Sequence, residues 1–312
     1  MFNISYTISP RLKEYLTKIE SLRRQILLTP IPPQKELRVR WEATFNRTYS
    51  CLKLAKNPLN KQEMLKLLAE ITHRKTSSEQ QEVLKFKQAL GHISQNWLGA
   101  ENAVNAQAFI DLHRIIGNGQ LRVPKSGLQY LLDYLQARSE NPIIQAAIVN
   151  IEMEKMQLFK EKNKLLSCLA SLVFLYKYGY DFRSFLAYET QFAEDGSRFK
   201  ENYERALNAP NLTLWLEYFA LSILSQLELV TQSLQKPKSG TLDLRKSFWE
   251  LQDRQKSILS YLDSPKNTIT NRQIQKRFKT SQITASRDLA KLTNLGLLFS
   301  HGKGRSVYYT KI

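Results

Sequence analysis

Apolar residues recur at three- and four-residue spacing through most of the first 235 positions of the chain. Leu128, Leu131, Leu132 and Leu135 form one such stripe, and Leu165, Leu169, Leu172 and Tyr176 form another. That period puts each set on one face of a helix. Interruptions fall at Pro30 to Pro33, Asn141-Pro142 and Pro210-Asn211, where proline removes a backbone donor. Lys236-Pro237-Lys238-Ser239-Gly240 reads as a linker, and beyond it the pattern changes. Asp253 to Leu262 carries Ile258, Leu259 and Leu262 at helical spacing, and Thr268-Ile269-Thr270 is short and β-branched, a small strand. Asn271 to Phe278 predicts a second helix with Ile274 and Phe278 facing inward. Ser281 then caps a third helix running to Asn294, with Ala285, Leu289, Leu292 and Leu295 as its apolar stripe. Leu297 to Ser300 and Ser306 to Thr310 read as strands around the turn Gly302-Lys303-Gly304.

Composition narrows the class. The 312 residues include only 11 glycines and are 42% hydrophobic, which excludes collagen, mucin-like stalks and a wholly disordered chain. Two cysteines, Cys51 and Cys168, cannot build a disulfide framework, and the scattered His73, His92, His113 and His301 offer no metal-ligand spacing. No metal or cofactor is expected. No signal peptide is read at the start, and Leu165 to Tyr176, the most apolar run, is too short to cross a bilayer. The expectation is a cytoplasmic protein without a membrane partner. Gly117-Asn118-Gly119 precedes no Lys-Ser/Thr helix start and reads as a turn. Trp97, Trp215 and Trp249 fall in apolar patterns and are expected in the core; Trp41, beside Arg38, Arg40 and Glu42, is expected to stack at a surface.

Charge is the more telling quantity. The net charge is +18, and half of that excess lies from Pro265 onward, where ten basic residues face Asp288 alone. Such a patch attracts polyanions through counterion release. The run TNRQIQKRFKTSQITASRDLAKLTNLGLLFSHGKGRSVYY, with its helix, strand, helix, turn, helix, hairpin order, resembles the winged helix-turn-helix family. The resemblance implies that the third helix enters a major groove. Gln282, Thr284, Ser286 and Arg287, following the cap Ser281, are then expected at base edges. Lys291, Lys276 and Arg277 are expected on phosphates, and Lys303 and Arg305 on the wing.

The larger part resembles Fic (Fido) proteins that carry a C-terminal winged helix. The matching segments, in order, are ISYTISPRLKEYLTKIESLRRQI, RTYSCLKLAKNPLN, NPIIQAAIVNIEMEKMQLFKEKNKLLSCLASLVFLYKYGYDF and LTLWLEYFALSIL. The family's active loop, HPFxxGNGRxxR, reads QLFKEKNKLLSC here, residues 157 to 168. The resemblance implies that Gln157 stands where the family has its general base; an amide has no titratable proton to exchange near neutrality. Leu158 replaces the proline, Lys162 and Lys164 the phosphate-cradling glycines, and Leu165 and Cys168 the arginines, while Phe159 and Asn163 are kept and Glu161 keeps the acid. The family's inhibitory (S/T)xxxE(G/N) helix reads Cys51-Leu52-Lys53-Leu54-Ala55-Lys56, so Ala55 replaces the glutamate. The segment between Ile116 and Leu128 is shorter than the family's target-docking flap. Asn163-Lys164 echoes the phosphate-transferring Doc-type toxins, which still rely on the histidine. Lys162 and Lys164 leave open the retention of an anion without turnover.

The sequence therefore predicts a mainly α protein: a Fic-like helical domain with N-terminal helices, followed by a small α+β winged helix-turn-helix domain. The expected divisions are 1–100, helical with the degenerate inhibitory helix; 101–235, the Fic-like core; 236–252, a linker and connecting helix; and 253–312, the DNA-binding unit. The expected function is a DNA-binding transcriptional regulator built on a catalytically degenerate Fic domain. Its expected partners are double-stranded DNA, a second copy of the chain in a homodimer, and a protein partner. The alternatives are a divergent nucleotidyl or phosphoryl transferase acting on protein and a non-catalytic, antitoxin-like binder.

Overall fold

The computed structural model describes residues 4–69, 75–137, 140–181, 183–235, 251–264, 267–302 and 304–311. Two hydrophobic cores organise them. The larger gathers buried residues from Leu12 to Val230, and the smaller gathers Ile258 to Leu298.

The larger core is helical throughout. Helix α1 (Pro10–Leu28) begins where the Ser9 side chain accepts from the Leu12 backbone and Pro10 occupies the first turn. It lies against α11 (Thr213–Gln235), and a parallel bridge between Ser5 and Asn211 fastens the chain start to that helix. Helix α2 (Pro33–Leu54) starts at the predicted proline break. Helices α3 (Lys61–Ala69) and α4 (Ser78–Trp97) follow, the latter with a Ser77/Gln80 capping box. Helices α5 (Ala106–Ile116) and α6 (Ser126–Ala137) lead to the centre of the body, α7 (Pro142–Met156) and α8 (Asn163–Lys177).

These last two pack on one another and differ from the amphipathic expectation. Every residue from Ile143 to Met153, and every residue from Leu165 to Tyr176, is buried. A helix apolar all round can sit only where others cover every face; α2, α4, α5, α6, α10 (Gly196–Asn208) and α11 do so here, and the short α9 (Glu189–Glu194) packs on α2. No described helix is long and apolar enough to cross a membrane. Phe192, Phe199, Trp215, Tyr218 and Phe219 interlock with ring centroids 4.9–6.4 Å apart. The tryptophans divide: Trp97 and Trp215 are core residues, and Trp249 lies outside the described residues. Trp41 corrects the expectation of a surface ring, because it is buried with the Lys87 ammonium 5.3 Å from its ring centroid.

The smaller core joins α12 (Asp253–Tyr261), α13 (Asn271–Phe278), α14 (Gln282–Asn294) and a two-stranded antiparallel hairpin, β1 (Leu298–His301) with β2 (Tyr308–Lys311). Thr268-Ile269-Thr270 does not make a full strand. Ile269 alone bridges Tyr309, with both N–H···O bonds formed at 2.8–3.0 Å, because Thr270 turns away to cap α13. The expected connection at 236–252 lies outside the described residues up to position 250.

Candidate functional sites

The loop between α7 and α8 is held by its own side chains. Asn163 does most of this: its Oδ1 accepts from the Phe159 backbone N–H at 2.9 Å, and its Nδ2 donates to the Phe159 carbonyl at 2.7 Å and to Gln157 Oε1 at 3.2 Å. Gln157 ends α7 with φ of 44° and donates through Nε2 to the Glu154 carbonyl at 2.8 Å. Both ends of the Gln157 amide are thus engaged inside the loop. Phe159 is buried beneath His113, with stacked rings 3.8 Å apart, and bridges Leu121 of the segment before α6.

His113 is a clamp that no local pattern in the sequence announces. Its Nδ1 accepts from the Gly119 N–H at 3.0 Å, which leaves Nε2 to donate to the Glu161 carbonyl at 2.9 Å. Burial pushes its pKa below the ordinary value, opposed by the Glu161 carbonyl bond. The two glycines beside it are required. A Cβ on Gly117 would stand 2.8 Å from the imidazole Cε1, and Gly119 has φ of +74°. The 117–119 turn therefore fits against a histidine rather than a phosphate.

Charge in the cleft over this loop is balanced. The cavity, about 290 Å³, is lined by Lys160, Lys162 and Lys164 and by Glu82, Glu154 and Glu161, with Ala55 and Leu165 among its other walls. Lys162 occupies the N-cap of α8 with φ of 58° and is ion-paired to Glu82 of α4. Lys164 is half-buried with its ammonium 3.4 Å from the Tyr203 ring centroid, and burial lowers its pKa. A polyphosphate entering here would meet three carboxylates, with Lys162 and Lys164 already engaged. Ala55 ends α2, and Cys51, one turn earlier, lies buried beside Cys168; burial pushes the Cys51 thiol well up, and the neighbouring Cys168 adds to it. Neither sulfur is in the electropositive, accessible setting of a nucleophile.

Sequence reasoning missed a buried ion triad that fixes α2 in place. Arg47 donates to Asp181 at 2.9 Å and lies 3.3 Å from Glu189, and it also donates to the Leu186 carbonyl. Burial raises both carboxyl pKa values, opposed in each by Arg47. More than a hundred residues separate these partners, so no local pattern announces them.

The second candidate site is the outward face of α14. Ser281 caps it, accepting from the Thr284 N–H at 3.2 Å, and its hydroxyl lies 3.0 Å from the Thr284 hydroxyl. Gln282 and Arg287 are exposed; Ser286 is exposed too, but its Oγ accepts from Asn271 of α13 at 2.8 Å. Lys291 is half-buried. Lys276 is exposed at the end of α13, and the Arg277 guanidinium is stacked 4.4 Å over Tyr261. Lys303 and the Arg305 side chain lie outside what is described. Asp288, the one acid on α14, is 3% exposed and paired with Arg254 of α12, while Gln255 donates to its other oxygen at 2.8 Å. The outer face is left without negative charge. Ile283 is 65% exposed there, an apolar residue that an inward-stripe reading passes over.

No protein-family model matches the chain, and no curated protein does. Among solved structures, a Fic family protein from Desulfovibrio desulfuricans G20 is similar over 99% of this chain and 98% of its own, with a TM-score of 0.60 at 14% identity. A Fic domain containing signaling protein from Bacteroides thetaiotaomicron VPI-5482 is similar over 74% of this chain and 100% of its own, with a TM-score of 0.57 at 15% identity. Fic-1 from C. elegans is similar over 72% of this chain and 73% of the other, with a TM-score of 0.57 at 15% identity. The fold is that of Fic family proteins, a mainly α body followed by a small α+β unit.

Proposed function

We propose that the chain is a DNA-binding regulator whose C-terminal unit is a winged helix-turn-helix and whose Fic-fold body no longer catalyses transfer. The observation that carries the first half is the α14 face. Gln282, Ile283 and Arg287 are exposed on it, and its lone acid is turned inward and neutralised. An α-helix so decorated suits a major groove: Arg287 matches a guanine edge and Ile283 a thymine methyl. Lys276, exposed at the end of α13, would meet a phosphate, as would Arg277 once free of the Tyr261 ring. Ser286, engaged by Asn271, acts in register-keeping between α13 and α14 before it acts on bases. Two such units in a homodimer would read paired half-sites.

The second half rests on Gln157. Its amide is tied to Glu154 and Asn163 and cannot take a proton from a target hydroxyl. The glycine positions carry lysines that are already engaged, and the cleft holds as many carboxylates as ammonium groups. Transfer of a nucleotide to a protein target is the second reading, favoured by the fold.

The deciding experiment is duplex binding across a salt series, followed by sequencing of genomic fragments that the protein retains. Affinity should fall steeply with salt, and Arg287→Ala should relax sequence preference by about 1–3 kcal/mol at one position. Lys276→Ala should weaken all sequences alike. Absence of salt-dependent retention would defeat the DNA reading, and radiolabel passing from ATP to a protein target would replace it with the transferase.

A further inference from the structure

A second cleft lies where the helical body meets the C-terminal unit. Its walls are α2, α4, the end of α8 and the Thr293–Gly296 turn that closes α14, and it encloses about 160 Å³. Among the described residues, every charged one lining it is a cation: Arg40, Arg47 and Lys87. Two of the three are matched elsewhere, Arg47 by Asp181 and Glu189, and Arg40 by Glu36 at 3.0 Å. Lys87 has no carboxylate at ion-pair distance among the described residues. It donates to Asn294 Oδ1 at 3.2 Å and sits over the Trp41 ring, and burial lowers its pKa to about 8. Arg40 donates through Nη1 to the Gly296 carbonyl at 3.3 Å. Arg40 Nε and Thr293 Oγ1 are buried without a hydrogen-bond partner among the described residues. Orphaned polar atoms and an unmatched cation around one cleft are what a missing anion leaves behind.

We propose that this cleft is an effector site for a small carboxylate with an apolar body, which competes with the C-terminal end of α14 for Lys87 and Arg40. The seam is at present closed by Arg40 meeting the Gly296 carbonyl just past the end of α14 and by Lys87 meeting the neutral Asn294 side chain. A full carboxylate is the stronger partner for both. Leu90, Leu98 and Trp41 supply apolar walls for the rest of the molecule, which favours an organic acid over inorganic phosphate. The space is below the roughly 300 Å³ of pockets that take drug-sized ligands, so a nucleotide does not fit. Occupancy would loosen α14 from the body and so change how that helix is presented.

The ligand step stands apart from the DNA reading, and its test contains no DNA. Benzoate is titrated calorimetrically into the full chain at pH 7, with inorganic phosphate in parallel. Saturable one-site benzoate binding is expected. It should weaken at least tenfold in Lys87→Met, stay unchanged in Lys85→Met on the exposed side of α4, and decline as pH rises above about 8 where Lys87 loses its proton. Amide exchange at Thr293 to Leu297 should quicken when benzoate is bound. If Lys87→Met does not melt cooperatively, Lys87→Gln serves in its place. Absence of saturable benzoate binding, equal affinity in the Lys87 variant, or saturation by phosphate alone overturns the site. Binding without faster exchange overturns the competition with α14.

Discussion

Lys162 is ion-paired to Glu82 of α4 while its own backbone is held in the left-handed region, at a position where the resemblance implies glycine. Two opposing terms meet in that residue. A left-handed backbone costs a non-glycine residue roughly 1–2 kcal/mol, and a partly exposed pair returns up to about 1 kcal/mol. Lys162→Gly should therefore shift the unfolding free energy by about 1 kcal/mol or less, in the stabilising direction. Glu82→Gln, which keeps the strain and loses the pair, should destabilise. Denaturant melts of the two variants check both signs.

A base at position 157 alone should not confer chemistry. Gln157→His would supply a titratable ring, but Lys162 and Lys164 are already engaged with Glu82 and Tyr203, and Leu165 and Cys168 offer no charge for a phosphate. The expected outcome is no nucleotide transfer from labelled ATP to a lysate by this variant. Transfer by Gln157→His would show that the cradle is intact.

Asp288 and Arg254 link α14 to α12, and the pair is buried on the carboxylate side. Removing the cation leaves a buried, uncompensated charge. Arg254→Ala should cost about 2–4 kcal/mol of C-terminal stability, at or below the upper range for breaking buried pairs because Arg254 is partly exposed. Asp288→Asn, which keeps a hydrogen-bonding group for Gln255, should cost less. Thermal unfolding followed through exchange of the α12 and α14 amides separates this loss from the larger core.

His113 must stay neutral to accept from Gly119. Its folded pKa lies below the ordinary 6.5, chiefly because it is buried. The unfolded chain therefore binds the extra proton more readily between those two values. Stability at this site is complete above pH 6.5 and declines as pH falls through 6.5 toward the lower folded value. Amide exchange in the Gly117 to Leu121 segment should quicken over that range, and His113→Gln should abolish the dependence.

Lys87 carries a window of the same sign at higher pH. Its folded value is about 8 against an ordinary 10.5, so the unfolded chain holds more protons between them. Stability should rise with pH across that interval, by at most about 1.4 kcal/mol per unit. Comparison of denaturant midpoints with those of Lys87→Met, where this contribution vanishes, isolates it from other titrating groups.

Periodicity made much of the fold legible. Ser281 caps the helix that its side chain predicts, and the stripe Ala285, Leu289, Leu292 and Leu295 is buried along α14 and its end. Local signals suffice there because caps and faces depend on neighbours three or four residues away. The motif residues of the α7–α8 loop were legible as substitutions but not as contacts. Whether Lys162 and Lys164 point into an open pocket depends on Glu82 and Tyr203, which lie on other helices. Trp41 misled because Arg38, Arg40 and Glu42 around it look like a surface, while α4 in fact covers it.

By itself the chain determined most of the helices, the Ser281 cap, the basic C-terminal end and the absence of a titratable group on the Gln157 side chain. These follow from side-chain chemistry and short-range geometry. Only the tertiary structure decided that His113 locks the loop, that Arg47 is matched by two distant carboxylates, that Asp288 turns inward, and that Lys87 faces a cleft without a counter-charge among the described residues. Each of those depends on which groups are desolvated together, and burial is a property of packing between segments far apart in sequence.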